Sequence, residues 1–115
     1  MNNAIVKEIF DNLTSGKQAL YFVNGSNGKK ALKPMSEAAA NNMNEGVKDN
    51  EGKYLVFPKT CTKLDVSVND YDSLREIAES SMYNETSREL ASELNVLFAA
   101  KEAKRKALKD YLANL

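Results

Sequence analysis

The sequence predicts an α+β fold: a small, largely antiparallel sheet of about four short strands, packed with an N-terminal helix and a C-terminal helical pair that ends in a long projecting helix. Three observations carry this reading. Apolar residues near the start recur with a helical period, short β-prone runs bracketed by turn residues fill the middle, and Thr86 to Leu115 runs without Gly or Pro. A chain of 115 residues suits a single domain, with a body over 1–83 and the long helix over 84–115.

Ile5, Val6, Ile9, Phe10 and Leu13 form the apolar stripe of the first helix, with Asn2 or Asn3 as its cap and Ser15-Gly16 as its end. Ala19 to Val23 is β-prone, Asn24 to Gly28 is turn chemistry, and Lys30 to Lys33 follows, so a hairpin is expected with Pro34 stopping its second strand. Ser36 to Met43 reads as a short Ala-rich helix capped by Ser36. Glu45 to Gly52 reads as a polar connection, and Tyr54-Leu-Val-Phe57 as a continuously apolar strand closed by Pro58. Leu64, Val66 and Val68 alternate with polar residues, as a half-buried strand does.

Ser73-x-x-Glu76 has the form of a capping box, after which Leu74, Ile77, Ala78 and Met82 mark one helix face. Tyr83 to Glu85 is a short break. Thr86-x-x-Glu89 is a second capping box. Leu90, Leu94, Leu97, Lys101, Lys104, Leu108, Tyr111 and Leu115 then follow a 4-3-4-3 spacing, the seam of a coiled-coil-like helix. That helix would be roughly 45 Å long, against roughly 33 Å for the diameter of a compact body of this size. It therefore projects.

The chain has no His, a single Cys and no Trp. Ser-His-Asp and Cys-His nucleophiles, His metal sites and multi-thiolate zinc sites are excluded within it. Cys61 excludes an internal disulfide, fits a reducing cytoplasm, and by strand parity is expected as a partly exposed, unreactive thiol. No apolar run approaches a membrane span and no secretory pattern opens the chain, so a cytoplasmic location without membrane contact is expected. The 13 Asn are the composition expected of an AT-rich genome, such as that of a phage or a low-GC bacterium.

Zero net charge conceals segregation: residues 1–63 carry +3, residues 64–93 carry −6 and residues 94–115 carry +3. Gly25-Ser-Asn-Gly28-Lys29-Lys30 has only a superficial likeness to a phosphate loop, because Lys30 stands where Ser or Thr is needed and a strand follows. Asp72, Glu76, Glu79, Glu85, Glu89 and Glu93 form a solvated acidic surface suited to docking, with no calcium-loop spacing. Lys101, Lys104, Arg105, Lys106 and Lys109 form a basic ridge, with Glu102 spaced to pair with Lys106. With Lys29, Lys30 and Lys33 of the hairpin, that ridge is the candidate anion or nucleic-acid surface.

Leu108, Tyr111, Leu112 and Leu115 form a second apolar cluster beyond the basic collar, too far along the helix to reach the body. Lys101 and Lys104 in the seam argue for two separate contact patches over one continuous zipper. The expected function is that of a non-enzymatic adaptor or regulatory protein, a homodimer through that cluster and bound to a protein partner. In an antiparallel pair, Glu85, Glu89 and Glu93 of one helix are expected to approach Lys101, Arg105 and Lys109 of the other. The alternative is a small nucleic-acid-binding protein. No catalytic residue, cofactor or metal site is assigned.

Overall fold

The middle strand of the main sheet carries apolar residues on both of its faces, and the helices divide between those faces. The computed structural model describes residues 2–24, 28–64 and 72–115. The elements are α1 (Asn3–Thr14), β1 (Ala19–Asn24), β2 (Lys30–Met35), α2 (Glu37–Glu45), β3 (Val47–Lys48), β4 (Tyr54–Val56), β5 (Cys61–Lys63), α3 (Asp72–Glu79) and α4 (Glu85–Ala113). This is an α+β fold with an N-terminal helix, small antiparallel sheets and a long C-terminal helix. The strands form a three-stranded sheet in the order β2-β1-β5 and a separate pair, β3-β4.

Strand periodicity places Leu20, Phe22 and Leu32 against α1, α3 and α4, in a core with Val6, Leu74, Ile77, Leu90, Ala91, Leu94 and Phe98. Tyr21, Val23 and Met35 point the other way, onto Ala40 of α2 and Cys61. The Ala-rich face of α2 thus fits a close approach to the sheet. Asn2 caps α1, its Oδ1 accepting from the Ala4 N–H at 2.8 Å, and Ser36 caps α2 in the same way through Ala39. Phe10 meets Phe98 edge-on at 5.0 Å, joining α1 to α4. Ile5, expected in the α1 stripe, is exposed.

Parts of both outer edges of the main sheet are capped by hydrogen bonds. Along β2, the Leu32 N–H donates to the buried Ser87 hydroxyl at 2.8 Å, the Lys30 N–H donates to the Met82 carbonyl, and the Asn84 N–H donates to the Lys30 carbonyl. Along β5, the Asn44 side-chain amide accepts from the Cys61 N–H at 2.8 Å and donates to its carbonyl at 3.4 Å. These hydrogen bonds satisfy backbone groups that would otherwise template another strand.

Several expectations need correction. Pro34 does not end β2 but lies within it, paired with Leu20, which an edge strand tolerates. Ser73 lies inside α3, which begins at Asp72. Met82 falls beyond α3 and is exposed. Asn84, not Thr86, caps α4, its Oδ1 accepting from the Ser87 N–H at 2.8 Å. Cys61 is buried, its thiol donating to the Ala40 carbonyl at 3.4 Å. Leu64 follows β5 and is half-buried, while Asp65, Val66, Ser67 and Val68 of the expected strand, and Gly25 to Asn27 of the hairpin turn, lie outside the described residues.

Tyr54 to Phe57 is not a covered strand. Among the described residues β4 pairs only with β3, and Val47, Tyr54, Leu55, Val56 and Phe57 are all exposed. The base of this hairpin is pinned to the end of α2, the Lys59 N–H donating to the Met43 carbonyl. Gly46 has φ 74° and ψ −175°, a region open essentially only to glycine. A Cβ there would lie 2.7 Å from the Val56 carbonyl oxygen and 2.9 Å from the Pro58 nitrogen, both backbone atoms. Gly46→Ala is therefore expected to destabilise the fold by about 1–3 kcal/mol or more, read as a lower urea midpoint. An unchanged midpoint would show that the hairpin base is not built this way.

Candidate functional site

The body ends on α4 at Phe98, and the helix does not. The radius of gyration is 17.2 Å and the extents are 68 × 30 × 23 Å, whereas a compact chain of this length has a radius near 13 Å. The 29 residues of α4 account for the difference. Its first half is held by Leu90, Ala91, Leu94 and Phe98, all buried, with Leu97 half-buried against them. From Ala99 onward every residue is exposed except Glu102, which is half-buried.

The distal half divides into three faces, because successive helical residues turn by about 100°. Leu108, Tyr111, Leu112 and Leu115 lie within one arc of about 100°, and their exposures are 59, 64, 57 and 85%. Arg105, Lys106 and Lys109 occupy the adjoining arc, while Lys101 and Lys104 fall within the apolar one. Ala100, Ala103 and Ala107 form the third. Leu108 stands about 15 Å along the axis from Phe98, so the second apolar cluster does not touch the body.

The basic ridge is solvated along its length, and Glu102 pairs with Arg105, not with Lys106 as expected. Arg105 grips Glu102 with Nη2 at 2.6 Å and Nε at 3.0 Å. Those hydrogen bonds hold the Glu102 carboxyl below the usual carboxylate range. The hairpin lysines stand elsewhere. Leu32 meets α4 at Ser87, about 21 Å along the axis before Lys101. Lys29 and Lys33 are exposed near that level, and the Lys30 Nζ lies over the Phe22 ring at 5.0 Å. The two basic groups do not form one surface.

The acids are also divided. Glu76 and Glu79 of α3 and Glu85 and Glu89 of α4 are exposed, Glu93 is half-buried, and Asp72 opens α3. Around α4, the centre of the ridge Lys101, Arg105, Lys109 lies about 160° from the centre of the ridge Glu85, Glu89, Glu93. In a twofold antiparallel pair like edges of the helices meet, so these two ridges do not face one another as expected. Lys104, only about 20° round from Glu93, is the base on the acidic side. Among the described residues, no group of His, Cys, Asp and Glu is placed to hold a metal ion. No described helix is long and apolar enough to cross a membrane.

Two features escaped the sequence reading. One is the exposed β3–β4 hairpin. The other is a groove of about 410 Å³ between α1 and α4, lined by Asn3, Val6, Lys7, Glu93, Val96 and Leu97. A scan against protein-family models matched none, and searches of curated proteins and of solved structures found no match.

Proposed function

We propose that this chain is a non-enzymatic adaptor or regulatory protein of the cytoplasm that self-associates through the distal half of α4 and presents its body to a protein partner. One observation carries the reading: three leucines and a tyrosine stand exposed on one arc of a helix that has already left its own core. Burying each leucine stabilises by ~1.5–3 kcal/mol, and an isologous pair makes the burial twice, each copy covering the other's cluster. Leu108→Glu combined with Leu112→Glu is the test, with association measured by light scattering. A folded monomer supports the reading, and an unchanged dimer refutes it.

A second reading follows from the solvation of Lys101, Lys104, Lys106 and Lys109, all exposed on the same projecting helix. In that reading they bind nucleic-acid phosphates. Retention on heparin or duplex DNA would then fall steeply with rising salt, and Lys106→Glu with Lys109→Glu would flatten the slope by roughly one unit for each phosphate no longer neutralised. Absence of binding at ~50 mM salt, where phosphate binding is strong, eliminates it.

A further inference from the structure

The α1–α4 groove sits on the side of α4 that also carries Lys104, Tyr111 and Leu115 further along. Its floor is Val6 and Leu97, and Val96 stands exposed at its lip. Glu93 is in its wall, and the Glu93 Oε2 is buried with no hydrogen-bond partner among the described residues. An orphaned carboxylate oxygen costs free energy until a cation or donor reaches it. Lys7, across the groove, is bound to Asp11 at 2.7 Å. The other orphaned atoms, Arg88 Nε and Asn95 Oδ1, lie on the opposite side of α4. An occupant that satisfies this groove is thus an apolar helix with small residues for close approach and one lysine level with Glu93.

We infer that the groove receives α4 of a second copy, laid antiparallel, with the Ala100–Lys104 turn of each copy seated on the other's Val96 and Leu97 and Lys104 of each delivered to Glu93 of the other. The inference rests on self-association as proposed above and adds where the helix docks. With the register taken as full overlap, helix geometry supports the pairing both along and around the axis. Along the axis, full antiparallel overlap of Glu85–Ala113 puts Ala99 at the twofold, which sets Lys104 within about 1.5 Å of the level of Glu93 on the other copy. Around the axis, Glu93 and Lys104 share an edge to within about 20°, and like edges meet in such a pair. Arg105 is one residue nearer in register but is turned away and holds its own Glu102. Ala100, Ala103 and Ala107 keep the helices close, and the same overlap carries Leu115 to the level of Met82, which is exposed on the α3–α4 turn.

The test is a charge swap. Glu93→Lys alone and Lys104→Glu alone each place like charges together twice across the twofold, and each is expected to weaken dimerisation by about tenfold or more, while the double swap returns within about threefold of wild type. As a second measurement, Glu93→Cys with Lys104→Cys in a Cys61→Ser background should oxidise to a covalent dimer. The two sites are about 16 Å apart within one helix and cannot join in one chain. A control with Glu93→Cys and Lys106→Cys should not cross-link. If wild type is a dimer but the double swap stays as weak as the singles and the cysteine pair links no better than its control, the groove assignment is overturned and self-association stands. If wild type is monomeric, both fall.

Discussion

Leu94→Ala is expected to lower the free energy of unfolding by ~2–5 kcal/mol. Leu94 is 0% exposed and sits at the centre of the α4 seam, between Leu90, Ala91 and Phe98, where α4 meets the sheet face of Leu20 and Leu32. Removing its branched end leaves a cavity whose walls are a sheet and three helices, and these cannot all collapse into it. A domain of this size has about 5–15 kcal/mol to lose, so the variant should stand near the edge of folding. The measurement is urea unfolding at fixed protein concentration, since self-association adds concentration-dependent stability. The midpoint should fall with little change in slope. Glu8→Ala, an exposed site on α1, should change stability by no more than about 0.5 kcal/mol. A Leu94→Ala chain as stable as wild type would show that α4 does not pack on the body through this seam.

The double substitution Leu108→Glu with Leu112→Glu acts on association instead. Each copy gives up two leucines at the interface and gains two carboxylates, so a dimer is deprived of four apolar side chains and must desolvate four charges. Dimer affinity should fall by at least about a thousandfold, equivalent to ~4 kcal/mol. The fold should be untouched, because both residues are exposed beyond the last core residue and Glu is a good helix former. The unfolding midpoint extrapolated to low concentration should match wild type. A double variant that unfolds or aggregates would mean that the tail packs on its own body.

The helices and the first hairpin were legible because their periods are local. The stripe of α1, the β-prone run Ala19 to Val23 and the Ser36 cap each depend on neighbours in sequence. The projection of α4 was legible too, from length alone: a helix longer than its domain has to leave it. What escaped depends on distant partners. Ser87 is withdrawn to Leu32, 55 residues away in sequence, and the start of α4 falls to Asn84. Parity placed Cys61 on a polar face, but the Asn44 amide and the Ala40 carbonyl cover it. Tyr54 to Phe57 misled because a continuous apolar run reads alike whether a strand is covered on both faces or paired only with two residues. The opposition of the basic and acidic ridges around α4 was legible too, since the turn of about 100° per residue sets it from the sequence positions. The groove required the crossing of α1 over α4, which no local pattern encodes.

Whether α4 holds two copies together is decided by light scattering of the wild-type chain after size exclusion. At about 100 μM the mass should be twice that of the 12.8 kDa chain. A mass of 12.8 kDa at that concentration would place association weaker than about −5.5 kcal/mol and contradict the assignment of Leu108, Tyr111, Leu112 and Leu115 to an interface.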